Sequence, residues 1–393
     1  MMNKPRVTNR RDFIVASSLV SLTGYLGSSA RAQQTLIINA ISSRTNFGAP
    51  FGNMMTRGSE LGVKWVNAAG GIANHTVVLN TLDDGSDASQ GVIRMQKFGT
   101  ESSVVLLNTL SSVIQQAGPV ANELKVVAIG PAISLAKIVV DNRPWLFTTF
   151  PRPELGVPLA VDNWIRREKL SRIAVIADVQ NAATKIQVSA FEAALRKSSV
   201  ELNETVPIAT QDVNFEASVR RALSTNPDGV VISALPNQAV GLLQTLRNAG
   251  SKASIFLPTA AFVPAAFKMV TDQKVFDRTY TLQVFYGGEG ATEASQKFVQ
   301  EFQKQEGTLP DGSAAFAFEL ILLLQQAAKD GAFVPNDISE KARDKLRTYL
   351  EGLNWSGPFG RVKMGNDGVV RRNYFVVRIN NFDDLKLIEQ IEG

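Results

Sequence analysis

GVKWVNAAGGIANHTVVLNTLDDGSD, residues 62–87, holds a Gly-Gly pair, the only histidine of the chain and two adjacent aspartates. Two readings compete for it. In one, His75, Asp83 and Asp84 form an acid/base centre, because histidine titrates near neutrality and paired carboxylates can split their pKa values. In the other, the stretch is a connection. An amphipathic helix ends at Gly70-Gly71, where left-handed geometry costs a glycine little, and an apolar strand VVLNTLD follows. Asp-Asp-Gly-Ser-Asp is then a turn, with Asp87 capping the next helix. Turn chemistry favours the connection. The aspartates nevertheless close a strand at the end where α/β proteins bind ligands, so a chemical role for them stays open on the residues alone. His75 reads as a surface residue with no nucleophile motif beside it.

The same alternation extends in both directions. Apolar strands are expected at 35–41, 77–83, 104–108, 125–130 and 145–150, with helices near 52–68, 88–99, 112–123 and 134–140. After Pro151 the series restarts, with strands at 172–178, 200–208, 229–235 and 254–258 and helices near 183–198, 214–224 and 237–249. Apolar strands separated by helices predict parallel sheets covered on both faces. Two such series predict two α/β lobes. Three irregular joints, 148–158, 281–290 and 354–362, read as crossovers between them. Helices near 292–306, 313–329 and 338–350 and a strand at 373–379 complete the chain. Lobes joined by several crossovers make a hinge, and the cleft between them is the natural ligand site.

A chain of 393 residues, 45% hydrophobic and 20% charged, has room for about two globular domains. Its N-terminus is set apart. TNRRDFIV (8–15) places Arg10 and Arg11 before a modest apolar run that ends near Leu26, and Ala30-Arg31-Ala32 follows. This reads as a cleavable twin-arginine export signal over residues 1–32, its run being short of the roughly 20 apolar residues a spanning helix needs. Lys4, Arg6, Arg10, Arg11 and Arg31 against Asp12 give that segment +4 of the chain's +5. The remainder is nearly neutral, so the basic balance argues for targeting and not for a nucleic-acid partner. The chain has no cysteine, which excludes disulfides, thiolate metal sites and a cysteine nucleophile. A soluble periplasmic monomer is expected.

Enzyme motifs are scarce. No G-x-S-x-G, H-E-x-x-H, P-loop or EF-hand pattern occurs, and one histidine cannot build a histidine metal cluster. Neither catalysis nor a cofactor is expected.

Taken in order, GVKWVNAAGGI, VVLNTLDDGSDASQGVIRMQKF, NTLSS, VVAIGPAIS, RIAVIAD, NPDGVVISALPNQAVGLLQTLRNAG, AAFAFELILLLQQAAKDGA and WSGPFGRVKMGNDG carry a family pattern. The chain resembles the periplasmic leucine/isoleucine/valine-binding proteins, the solute receptors of branched-chain-amino-acid-type ABC transporters, over nearly all of 35–390. The resemblance implies a type I periplasmic binding fold of two doubly wound parallel-sheet lobes and a three-segment hinge. It places one lobe at 33–150 plus 286–355 and the other at 151–285 plus 356–393. It implies that Phe51 walls the cleft, and that Ser111, with Ser112 beside it, and Ala132 with Ser134 grip a ligand carboxylate. Hydroxyls and free backbone N–H groups at helix starts suit an anion, although each serine could equally be a helix cap.

The second lobe departs from the pattern. Thr259 stands where amino-acid binders of the family carry an acid for the ammonium. Ala183 replaces an aromatic, and another aromatic is missing near Leu235. Arg152 replaces an acid at the hinge, where its guanidinium could meet a carboxylate or be solvated. A buried ammonium without a counter-charge is costly. The expected ligand is therefore a small organic acid without an α-ammonium, aromatic or branched aliphatic, passed to an inner-membrane ABC permease. An amino-acid receptor and a ligand-sensing partner of a signalling protein are the alternatives.

Overall fold

The computed structural model describes residues 34–393, apart from the side chains of Ala182, Ala183 and Glu204. The export signal expected over residues 1–32 lies outside the described residues. β1 (Gln34–Ser42), β2 (His75–Asp83), β3 (Val104–Asn108), β4 (Val127–Gly130) and β5 (Leu146–Thr148) form a sheet in the order β2-β1-β3-β4-β5. Every pair in it is parallel. α1 (Ala49–Ala68), α2 (Ala88–Glu101), α3 (Ser111–Glu123) and α4 (Ala136–Asp141) are the crossovers. The inner strands VVLLN and VAIG are buried at every residue, as a sheet covered on both faces requires.

α5 (Pro153–Glu168) leads into a second sheet. Its parallel part is β6 (Arg172–Asp178), β7 (Glu201–Ile208), β8 (Gly229–Ser233), β9 (Ser254–Leu257) and β10 (Thr279–Gln283). α6 (Ala182–Lys197), α7 (Glu216–Leu223), α8 (Pro236–Asn248) and α9 (Pro264–Phe267) link these strands. The chain then runs through α10 (Glu293–Glu306), α11 (Gly312–Lys329) and α12 (Glu340–Glu351). It forms a small antiparallel sheet of β11 (Asn354–Gly357), β12 (Gly360–Met364) and β13 (Val370–Arg371). β14 (Tyr374–Ile379) and β15 (Leu385–Ile391) return antiparallel to the second sheet, whose order is β15-β14-β10-β9-β8-β6-β7.

Two expectations about the joints need correction. Residues 281–290 read as a crossover, yet Thr279–Gln283 is β10, hydrogen-bonded between β9 and β14, and the connection starts only after it. The stretch 354–362 also read as a crossover, yet it supplies β11 and the start of β12.

α11 is apolar nearly all round and lies against α1. The approach is close enough that a Cβ at Gly58 would stand 2.1 Å from the Ala314 carbonyl oxygen, so glycine is required there. One core cluster takes in Met54 and Leu61 of α1, Phe316 and Phe318 of α11, and Val175, Phe256 and Leu282 of the second sheet. A second cluster joins Val66 of α1 and Leu320 and Ile321 of α11 to Leu36, Val105 and Ile129 of the first sheet, so both sheets are anchored to the same helices. An ion pair fixes the joint. Arg372 places both guanidinium NH2 groups on the Glu319 carboxylate, at 2.8 and 3.1 Å, with both side chains almost fully buried. The Phe316 ring lies 4.0 Å from the guanidinium carbon.

Candidate functional site

Parallel strands end on one edge of their sheet, so the loops after β1, β2, β3 and β4 gather at the carboxyl edge of the first sheet. Asp84 ties three of them together. It is 1% exposed and accepts from Ser43 Oγ at 2.9 Å, Ser86 N at 2.7 Å and the Thr109 hydroxyl. The Ser43 and Thr109 oxygens also lie 2.7 Å apart, so one of the two hydroxyls divides its single proton between the other and Asp84. A buried carboxylate is tolerated when its lone pairs are used in this way.

Asp83 is spent likewise. It accepts from Arg44 N at 2.8 Å, Thr45 Oγ1 at 2.7 Å and Gly85 N at 2.9 Å. Burial pushes its pKa up, but these donors outweigh burial and hold the carboxyl below the usual range. Asp87 caps α2 by accepting from Gln90 N at 2.9 Å. His75 opens the nine-residue β2 that Asp83 closes. At ~3.3 Å per residue they lie about 26 Å apart. The imidazole Nδ1 meets Ala73 O at 2.8 Å and Nε2 meets Gln34 Oε1 at 3.0 Å. The stretch 62–87 is thus a connection, and its acids are scaffolding.

The scaffold presents α3. Leu110 is the N-cap and has no polar side-chain atom to offer, so the first turn of α3 has no side-chain cap. Ser111, half-buried, and Ser112, exposed, open that helix, and neither hydroxyl has a partner among the described residues. A helix start with spare N–H groups and spare hydroxyls is a donor-rich surface. Ala132 and Ser134 lie in the β4–α4 loop on the same edge, both half-buried. Phe51 is the third residue of α1 and half-buried. Its neighbour Gly52 lets α1 approach the β1 loop, since a Cβ there would stand 2.0 Å from Ser43 O. The structure therefore brings Phe51, Ser111, Ser112, Ala132 and Ser134 to one sheet edge.

The corresponding edge of the second sheet carries Ala183 in the first turn of α6, Leu235 as the N-cap of α8, and Thr259 after β9. Thr259 donates its hydroxyl to Leu282 O at 2.8 Å. Asp178, the acid that ends β6, is fully buried and accepts from Gln180 N at 2.9 Å, Asn181 N at 3.1 Å and Thr210 Oγ1 at 2.9 Å. Asp212 accepts from Ala209 N at 2.8 Å. These two acids serve their own loops.

Arg152 is held elsewhere. Its Nε donates to Glu154 Oε1 at 2.8 Å, and NH1 lies 3.9 Å from Asp367. The bond to Glu154 raises its pKa above the ordinary arginine value. Its guanidinium belongs to a hinge ion pair. One residue that the sequence reading missed is Gln187 of α6, 6% exposed, whose Oε1 accepts from Ala260 N at 3.1 Å beside Thr259. No local pattern announces it, because the contact spans 73 residues.

The family model described as "Periplasmic binding protein" matches residues 37–384. A "Leu/Ile/Val-binding protein homolog 3" of Brucella melitensis is 26% identical over 241 residues, 61% of this chain and 65% of that relative. The alignment thus spans slightly less than two thirds of the curated relative. A leucine-binding protein from Thermotoga maritima superposes with TM-score 0.76 at 16% identity, covering 91% of this chain and 99% of the other. A solute-binding protein from R. palustris in complex with benzoate gives TM-score 0.74 at 19% identity, covering 91% and 97%. These likenesses establish the type I periplasmic binding fold.

Proposed function

The chain belongs to the periplasmic binding protein family, a family of solute-binding proteins, and from that premise we propose that it is the receptor of an ABC importer for a small organic acid. The ligand bridges the two sheet edges and stabilises the closed arrangement by its differential affinity for it. Ser111, Ser112, Ala132, Ser134 and the start of α3 receive the carboxylate, and Phe51 packs on the apolar body. Leu235, Ala183 and Thr259 supply an uncharged second wall. An aromatic or branched aliphatic acid fits this division. The chain is exported by its twin-arginine signal, works as a periplasmic monomer without a cofactor and delivers its ligand to an inner-membrane permease.

One observation carries the choice of an acid over an amino acid. Thr259, where an ammonium would need a counter-charge, is neutral and spends its hydroxyl proton on Leu282 O, while Asp178 is committed to the donors of its own loops. The benzoate complex of a structural neighbour shows that this fold accommodates such acids. The leucine-binding neighbour supports a second reading, an amino-acid receptor. A thermal-shift panel of benzoates, branched aliphatic acids and branched-chain amino acids separates the two, since a ligand of the folded state raises Tm. Stabilisation by acids alone is expected; stabilisation by leucine alone would contradict the proposal.

A further inference from the structure

Gln187 meets the backbone amide that follows Thr259, and the two side chains have opposite spare capacity. The Gln187 carboxamide is oriented by a backbone donor, because Ala260 N–H can meet only its oxygen. Its Nε2 is left with no partner among the described residues, and it is not one of the sealed, unpaired polar atoms of the interior. Gln187 as a residue is nevertheless 94% buried, so its orientation is fixed by packing. Thr259 has the converse arrangement. Its one proton is committed to Leu282 O at 2.8 Å, so its half-exposed oxygen can only accept.

The wall thus offers a donor group, the Gln187 NH2, and an acceptor, the Thr259 oxygen, connected through the Ala260 amide, and neither is charged. An ammonium matches this poorly, since it has only donors to set against the Gln187 NH2. A second carboxylate would receive one hydrogen bond but bring its lone pairs against Thr259 and bury its charge without a cation. A hydroxyl accepts from the first and donates to the second. We propose that Gln187 and Thr259 are specificity-determining residues that read a neutral hydroxyl at the end of the acid remote from its carboxylate. The inference rests on the organic-acid reading above and narrows its substrate class to hydroxy acids.

The test is calorimetric titration of the full chain with benzoate, with 3- and 4-hydroxybenzoate and with the matching methylbenzoates. One hydroxy acid should bind at least about tenfold more tightly than its methyl counterpart, the scale of a satisfied against an unsatisfied buried polar group. Gln187→Leu should reduce that ratio to within about twofold, the ratio being read within the one variant and so independent of any common change in affinity for the acids. Gln187→Met keeps a similar volume without the NH2 donor or any charge, so it should reduce the ratio to the same extent. Acids that bind with no hydroxyl preference, or a preference that survives both substitutions, overturn this inference and leave the organic-acid reading standing. Absence of binding to every acid in the set, with leucine bound, overturns both.

Discussion

The carboxyl edges of the two sheets use similar residues to opposite ends. Each buries an aspartate at the end of a strand, Asp84 after β2 and Asp178 at the end of β6, and each saturates it with hydroxyl and backbone donors. On the first edge, this leaves the start of α3 uncapped and the Ser111 and Ser112 hydroxyls unpaired. On the second, it leaves a neutral wall in which the Thr259 proton is spent internally and the Gln187 NH2 has no partner among the described residues. An acid in a binding cleft is therefore informative only after its partners are counted. Read by residue type alone, the first edge is the acidic one, with Asp83, Asp84 and Asp87 in five residues; read by hydrogen bonds, it is the one that presents donors.

Asp84→Ala removes the acceptor shared by Ser43, Thr109 and Ser86 N and leaves buried groups unpaired. Denaturant unfolding should show a loss on the order of 3 kcal/mol, with ligand affinity falling as the three loops loosen. A variant as stable as the parent would mean that Asp84 does not organise the first edge. Thr259→Glu comes next, since it gives the second edge the acid it lacks. Affinity for acids should drop by about tenfold or more, and branched-chain amino acids should gain measurable binding. Unchanged selectivity would break the contrast between the edges. Ser111→Ala removes one donor from the first edge and should weaken acid binding by roughly 5- to 30-fold with little change in Tm.

The smallest effect concerns pH. The folded-state pKa of Asp83 is depressed, so its donors stabilise the fold above the unfolded carboxylate pKa, and that contribution is lost as pH falls through the folded value. The partly exposed position keeps the effect modest. Asp83→Asn should flatten the acid limb of the stability curve below about pH 4 and leave its neutral region nearly level. An acid limb that matches the parent's would show that the turn does not depend on the charge.

Much of the fold was legible because the parallel core strands are continuous apolar runs, and helix and strand periods differ clearly between β1 and β9. The errors have physical causes. Thr279–Gln283 lies beside Gly287-Gly288, so turn chemistry obscured a strand whose pairing comes from β9 and β14. β15, LKLIEQI, is an outer strand with mostly partly exposed residues, so its period is blurred. On the first edge, Phe51, Ser111 and Ser134 were legible through the ordered family pattern, and the structure places them together. On the second, Gln187 was not, because its orientation depends on the Ala260 amide on a different loop. The commitment of Arg152 to Glu154 was within reach, since the two are separated by one residue.

In the proposed function the second edge has no place for an ammonium. Calorimetric titration with matched pairs that differ only in that group tests it most directly: leucine against 4-methylpentanoate, and phenylalanine against 3-phenylpropanoate. The deaminated acid is predicted to bind at least about tenfold more tightly in the pair whose body fits the cleft, because the ammonium would be buried unpaired. Tighter binding of leucine or phenylalanine than of its deaminated partner would contradict the account.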